Sequence, residues 1–125
     1  MNNNDEQIDL VAQADSITAM IATCHGASVA AGWHSKPREK GTMLMLIVSE
    51  LAEAMEGERK DLMDDHLPHR KMAEVELADA IIRIFDYAGA HGYDVGGAYV
   101  EKLAYNKKRQ DHKPEARAKE GGKAF

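Results

Sequence analysis

The stretch that decides the fold of this chain is Met43-Leu-Met-Leu-Ile-Val-Ser-Glu50-Leu-Ala-Glu53, and its acidic spacing returns in Glu76-Leu-Ala-Asp79. In each acidic pair the carboxylates are three residues apart, so an α-helix places both on one face. The run that precedes the first pair is apolar on every side, which is typical of a buried helix. The sequence therefore predicts two helices whose acidic faces meet and bring four carboxylates together.

Rotation of about 100° per residue divides the first of these helices into two apolar stripes. One stripe includes both acids and consists of Met43, Leu46, Ile47, Glu50, Glu53, Ala54 and Gly57. The other faces elsewhere and consists of Leu44, Val48, Leu51 and Met55. The carboxylates thus extend an apolar stripe instead of lying among lysines, which favours a functional role over simple solvation.

A cluster of four carboxylates needs a countercharge, because like charges repel and burial makes each charge costlier. All-oxygen acidic ligands suit Mg²⁺ first and Mn²⁺ second. The expected metal ligands are Glu50, Glu53, Glu76 and Asp79. Magnesium in such a site usually serves a phosphate substrate. The alternative is a solvated or ion-paired face, since Arg83 and Asp86 share the face of the second acidic pair.

The composition is that of one soluble domain of 125 residues, with 44% apolar and 30% charged side chains. No apolar run reaches the roughly 18 residues of a membrane span, and the N-terminus lacks the basic region of a signal peptide. The single cysteine, Cys24, cannot form an internal disulfide, which fits a reducing compartment. We therefore expect a cytoplasmic protein with no membrane partner.

The charge is divided unevenly between an acidic body and a basic end. Residues 1–106 carry a net charge of −9 and residues 107–125 a net charge of +4. An acidic body argues against nucleic-acid binding. We expect a helical domain over residues 1–110 and a basic tail over residues 111–125, which is either disordered or folds onto an anionic ligand.

Helical periodicity predicts four helices and no strand alternation, so the expected fold class is all-α. The helices are expected at about residues 5–31, 42–60, 71–90 and 95–109, with Thr42 as a possible cap of the second. Short connections favour antiparallel neighbours in a four-helix bundle. The third helix is apolar over about half its circumference, which a chain of this size can hardly cover alone, so we expect a homo-oligomer.

The fourth helix carries a polar stripe of its own, formed by Lys102, Asn106 and Arg109. Two cations and an amide on one face suit phosphate oxygens, because Arg binds them through paired hydrogen bonds and Lys as a point charge. Opposite a Mg²⁺ site, this stripe would complete a clamp for a triphosphate. The alternative is a solvated basic helix end that complements the helix dipole.

Other catalytic patterns do not occur in the sequence. There is no P-loop, no Gly-x-Ser-x-Gly and no His-Asp dipeptide, and no Glu is followed by a His three residues later, as di-iron bundles require. His66 and His69 lie in a polar connection, where we expect exposed histidines instead of a zinc pair. Trp33 is a candidate for stacking on a base, although a core or interface position is at least as good an explanation.

The ordered set of acidic motifs, Glu50-x-x-Glu53 and then Glu76-x-x-Asp79 on the next helix, resembles the metal motif of the MazG-like all-α nucleoside triphosphate pyrophosphohydrolases. Residues 101–109, Glu-Lys-Leu-Ala-Tyr-Asn-Lys-Lys-Arg, look like the downstream phosphate-contacting segment of that family. The resemblance covers about residues 30–125, and the ending Gly-Gly-Lys-Ala-Phe is similar to that of phage-encoded members.

This resemblance implies a homo-dimer or a dimer of dimers that binds two or more Mg²⁺ ions and releases pyrophosphate from a nucleoside triphosphate. The phage-encoded relatives favour dGTP as substrate and the host cytoplasm as location. Some members carry a further acid directly after the first Glu of the motif, where this chain has Leu51, so the general base stays open between Glu50 and Glu53. The alternative function is a non-catalytic helical module that binds nucleotides or assembles with a partner.

Overall fold

The computed structural model describes residues 3–109, 114–118 and 121, and over these residues the chain is all-α, as predicted. The helices are α1 (Asn3–Ala30), α2 (Lys40–Lys60), α3 (Met72–His91), α4 (Val95–Lys108) and the short α5 (Pro114–Ala118). The first four begin and end within two residues of the predicted bounds. Among the described residues there is no strand, only an isolated antiparallel bridge between Met63 and Lys71.

The helix ends follow from local chemistry. Glu39 caps α2, because its carboxylate accepts the N–H groups of Gly41 at 2.8 Å and Thr42 at 2.6 Å. The prediction that Thr42 caps this helix was therefore wrong, and Thr42 lies inside the first turn. α3 ends at Gly92, whose φ of 68° is a left-handed conformation that glycine adopts without strain.

The described chain forms two compact units. One unit spans Ala19–Tyr93 and contains the second part of α1 together with α2 and α3. The other contains α1 up to Thr18 and the described residues from Asp94 onward. Both acidic motifs and Trp33 belong to the first unit, whereas the polar stripe of α4 belongs to the second. Apart from α5 and residue 121, the predicted tail lies outside the described residues.

Small residues allow the helices of the Ala19–Tyr93 unit to approach closely. α2 packs against α3, and a Cβ on Gly57 would lie 2.9 Å from the Cβ of Met72. A Cβ on Gly89 would lie 2.5 Å from the Cβ of His25, so this glycine sets the approach of α1 to α3. The buried apolar side chains of these helices are Met43, Ala54, Ala73, Ala80 and Ala88.

The other unit is built on the same principle. A Cβ on Gly96 would lie 2.5 Å from the carbonyl oxygen of Ala14, so this glycine permits α4 to approach the first part of α1. The hydroxyl of Tyr99 donates to Oε1 of Gln13 at 2.9 Å. The carboxylate of Asp94 caps α4 by accepting the N–H of Gly97 at 2.9 Å.

Two apolar stripes on α2 and α3 are exposed. The members of the α2 stripe are Leu44, Val48, Leu51 and Met55, and those of the α3 stripe are Leu77, Ile81 and Ile84. The run before Glu50 is therefore buried on its acid-bearing side, through Met43, and exposed on the other. None of the described helices is long and apolar enough to span a membrane.

Candidate functional site

Three carboxylates from α2 and α3 meet in the Ala19–Tyr93 unit. Glu50, Glu76 and Asp79 each present an oxygen, and these oxygens lie within 4.8 Å of one another. Glu50 and Glu76 are both only 8% exposed, and Asp79 is half-buried. The close packing of α2 on α3 and the three-residue spacing on α3 produce this arrangement.

Glu53 adjoins this carboxylate cluster without being one of its three central members. Its side chain is exposed, one turn beyond Glu50 on α2. It lies close enough to Glu76 to hydrogen-bond with it and to act on its charge. The second acid of the first motif is therefore the most accessible of the four predicted ligands.

Glu76 is the residue on which the cluster acts most strongly. Its hydrogen bond with Glu50, its burial and the neighbouring Glu53 raise the pKa of Glu76 from 4.5 to about 8. Its Oε2 atom is buried and has no hydrogen-bond partner. A buried polar atom without a partner is costly. A hard divalent cation such as Mg²⁺ would fit this cluster, because all of its donors are oxygens. The raised pKa of Glu76 and its unpartnered oxygen point the same way.

Asp79 is repelled by neighbouring carboxylates and partly compensated by the positive charge of Arg83. Burial and then the charge of Glu50 raise the pKa of Asp79, while Arg83 opposes the rise. The Nε–H of Arg83 donates to Oε1 of Glu50 at 3.0 Å. Asp64 also raises the pKa of Asp79 from the α2–α3 connection, where its own carboxylate accepts two backbone N–H groups.

A cleft of about 750 Å³ lies beside the carboxylate cluster, within the same unit. Glu50, Asp79 and Arg83 line it together with Trp33 and Arg38. Trp33 is 64% exposed, and the guanidinium carbon of Arg38 lies 5.9 Å from the centroid of its ring. Ligand pockets typically occupy about 300–1,000 Å³, so the cleft has room for a nucleotide.

Cys24 also lines the cleft. Burial, together with the charge of Asp86, raises the pKa of its thiol. A thiol is a nucleophile in its deprotonated form, which a raised pKa disfavours. The raised pKa therefore disfavours a nucleophilic role for Cys24.

Asp86 forms a second polar cluster in the same unit. Its Oδ1 lies 2.9 Å from Nδ1 of His25 and 2.8 Å from Nε2 of His34. Its Oδ2 accepts the hydroxyl of Ser28 at 3.0 Å and lies 3.8 Å from Arg38. Burial opposes ionisation, but the hydrogen bonds from His25, His34 and Ser28 lower the pKa of this carboxyl. Sequence reasoning missed the two histidines, because they are 61 and 52 residues from Asp86.

The predicted phosphate ligands belong to the other compact unit. There, Nζ of Lys102 lies 4.5 Å from the ring centroid of Tyr105, and the guanidinium carbon of Arg109 lies 5.9 Å from it. Oδ1 of Asn106 is buried and has no hydrogen-bond partner. The role of these three residues as a clamp stays a prediction. His66 and His69 are exposed, as expected from the sequence.

The functional interpretation depends on the residues of this chain alone. Comparisons with protein-family models, with curated proteins and with solved structures found no match. The resemblance to MazG-like enzymes therefore stays a prediction, which rests on the two acidic motifs, the segment 101–109 and the ending Gly-Gly-Lys-Ala-Phe.

Proposed function

We propose that this protein is a Mg²⁺-dependent hydrolase that cleaves a nucleoside triphosphate, with dGTP as the candidate substrate, to the monophosphate and pyrophosphate. The observation that carries the proposal is the carboxylate cluster, in which a buried oxygen of Glu76 has no partner beside a nucleotide-sized cleft. Carboxylates buried at this density are costly without a cation. Mn²⁺ offers similar chemistry and should support the same reaction.

Glu50, Glu76 and Asp79 would hold the metal, with Glu53 adjoining through Glu76. Mg²⁺, when bound, would neutralise phosphate charge and lower the pKa of an attacking water. In the reaction the water oxygen bonds to the α-phosphorus while the bond from that phosphorus to the oxygen bridging to the β-phosphorus breaks. The family resemblance favours two or more ions, and calorimetric stoichiometry would count them.

Glu53 is the better candidate for the general base. Oε1 of Glu50 already accepts a hydrogen bond from Arg83 at 3.0 Å, and Glu50 is one of the three converging carboxylates. Glu53 is exposed at the edge of the cluster, so it can accept a proton from a water there.

The cleft suggests how a nucleotide would lie. Its phosphates would face Glu50 and Asp79, and its base would extend toward Trp33, which lines the same cleft with an exposed ring. Arg83 lines the cleft as well. Its guanidinium, which donates to Glu50 through Nε–H, would suit a phosphate oxygen through paired hydrogen bonds.

The proposal is tested by incubating the purified chain with each common NTP and dNTP, with Mg²⁺ or with a chelator, and by measuring pyrophosphate and orthophosphate separately. We expect Mg²⁺-dependent release of pyrophosphate, with one or a few deoxynucleotides preferred. Nucleotide binding without any release would support the non-catalytic module instead. Release of orthophosphate alone would contradict the proposed bond cleavage.

We expect the chain to form a homo-dimer or a dimer of dimers, because the exposed stripes on α2 and α3 need cover. Light scattering should show this assembly at micromolar concentration. Ile81→Glu, in the α3 stripe, should shift the population toward monomer. Leu62→Glu is the control, since Leu62 is an exposed apolar residue outside both stripes. A stable wild-type monomer would contradict this prediction.

The predicted clamp makes a separate prediction about the end of α4. A charged hydrogen bond to a desolvated phosphate is worth about 1.5–3 kcal/mol, so Arg109→Ala should lower kcat/KM by at least about tenfold. The melting temperature should change little, because the contact of the Arg109 guanidinium with the Tyr105 ring is at an exposed site, where such contacts contribute little.

Truncation after Gln110 should likewise impair turnover more than folding if the tail closes over the phosphates. For Arg109→Ala, the matched control is Lys108→Ala, which removes one positive charge at the neighbouring exposed position. Full activity of both Arg109→Ala and the truncated chain would refute the clamp while leaving the carboxylate site untouched.

A further inference from the structure

We propose that His25, His34 and Asp86 form a second metal site, selective for a borderline transition ion of the Zn²⁺ class. Nδ1 of His25, Nε2 of His34 and a carboxylate oxygen of Asp86 lie within 4.8 Å of one another. The proposal concerns metal binding alone and does not depend on the hydrolase activity.

The donor atoms decide which ion fits. Imidazole nitrogen suits Zn²⁺, Co²⁺ and Ni²⁺, whereas Mg²⁺ prefers oxygen alone. Two nitrogens and one oxygen would leave a fourth tetrahedral position for water or a ligand. The carboxylate cluster of Glu50, Glu76 and Asp79 offers only oxygens. The unit would therefore hold two sites of different selectivity.

The distance of each ring nitrogen from the Asp86 carboxylate is close to that in an occupied site. Both ring nitrogens converge on the same oxygen, Oδ1 of Asp86, at 2.9 Å from His25 and 2.8 Å from His34. Ligands of a tetrahedral Zn²⁺ lie about 3.3–3.6 Å apart, so each nitrogen would retreat from the oxygen by less than about 1 Å. That movement is small for side chains that are only partly buried.

The other oxygen of Asp86 is held separately. The hydroxyl of Ser28 donates to Oδ2 at 3.0 Å, so Oδ1 is directed toward the histidines. Partners of this kind orient metal-bound carboxylates. Arg38 lies 3.8 Å from the same Oδ2, and its positive charge would moderate the affinity for a cation. The three ligands come from α1, the α1–α2 connection and α3, and all belong to the Ala19–Tyr93 unit.

The competing explanation is a network in which both histidines simply donate N–H groups to Asp86. Two substitutions separate the explanations. His25→Asn and His34→Gln each keep an amide N–H near the position of the ring nitrogen but remove the metal ligand. His69→Gln is the matched control at an exposed histidine. Glu76→Gln tests whether the metal signal comes from the carboxylate cluster instead.

The experiment titrates Co²⁺ into the full chain after chelator treatment and follows visible absorption, then displaces Co²⁺ with Zn²⁺. Four-coordinate Co²⁺ absorbs visible light far more strongly than the six-coordinate ion of an all-oxygen site. We expect the strong absorption at one equivalent in wild type, His69→Gln and Glu76→Gln. In His25→Asn and His34→Gln, affinity should fall by at least about tenfold, since losing even an outer-shell partner costs about 10–100-fold.

Circular dichroism would confirm that these variants remain helical. Absence of the strong absorption in folded wild type would overturn the site and leave the hydrogen-bond network as the explanation. Equal Co²⁺ affinity in wild type and in both histidine variants would overturn it as well.

Discussion

Asp79→Asn should reduce pyrophosphate release by more than about a hundredfold, since losing even an outer-shell partner of a metal ligand costs about 10–100-fold. Asp79 is one of the three converging carboxylates and lines the cleft. The same change should leave the metal-free fold unchanged or more stable, because burial and the charge of Glu50 already raise the pKa of this carboxyl. Turnover at saturating Mg²⁺ and the unfolding free energy in chelator are the two measurements.

Glu53→Gln should remove turnover to a similar extent for a different reason. If Glu53 is the general base, its loss blocks proton transfer while Glu50, Glu76 and Asp79 still bind Mg²⁺. Calorimetry should therefore show Mg²⁺ binding in Glu53→Gln and weakened binding in Asp79→Asn. Glu58→Gln, at an exposed position of the same helix, is the control and should behave as wild type. Near-wild-type turnover in Asp79→Asn would show that the metal assignment is wrong, and near-wild-type turnover in Glu53→Gln would show that Glu53 is not the general base.

The metal-free protein should lose stability as pH rises from about 5 to 8. Glu76 has a folded-state pKa of about 8 against an ordinary 4.5. A carboxyl with a raised pKa binds its proton more tightly in the folded state, so its contribution is complete below the unfolded pKa and disappears as pH rises through the folded pKa. For one proton the slope is at most about 1.4 kcal/mol per pH unit. Glu76→Gln, which stays neutral, should not show this loss.

The measurement is urea unfolding in chelator at several pH values and at one fixed protein concentration, since an oligomer's stability depends on concentration. The stability of Glu76→Gln relative to wild type should grow with pH. Glu74→Gln, at an exposed position of the same helix, should track wild type. Saturating Mg²⁺ should cancel the loss in wild type, because the bound cation favours the ionised form. A pH-independent difference between Glu76→Gln and wild type would contradict the strong coupling within the cluster.

The helices and the meeting of the acids could be predicted because both depend on local pattern. The three-residue spacing of Glu76 and Asp79 puts them on one face whatever else the chain does. Glu50 lies on α2, which packs against α3. The apolar stripe that contains Glu50 already indicated that this face of α2 is buried. The capping of α2 by Glu39 was harder to foresee, because Thr is among the preferred N-cap residues and Glu is not.

The Asp86 cluster could not be predicted, because its contacts are long-range. His25 lies near Asp86 because α1 approaches α3 at Gly89, and no periodicity encodes that contact. The exposure of Val48 could not be predicted either. An apolar run does not reveal whether its cover comes from the same chain or from another.

The small buried residues of α2 and α3 have a consequence for how the protein can evolve. Ala54 and Gly57 follow Glu50 by one and two turns, and Ala73 and Ala80 flank Glu76, so small and acidic side chains share the buried faces of both helices. Mg²⁺ requires oxygens at about 2.0–2.1 Å with little tolerance. If the carboxylate cluster binds Mg²⁺ as proposed, the short distance between α2 and α3 that these small residues permit would limit the size of the bound ion. Larger side chains at these positions would move the two helices apart and favour a larger ion, such as Ca²⁺, even with every carboxylate retained.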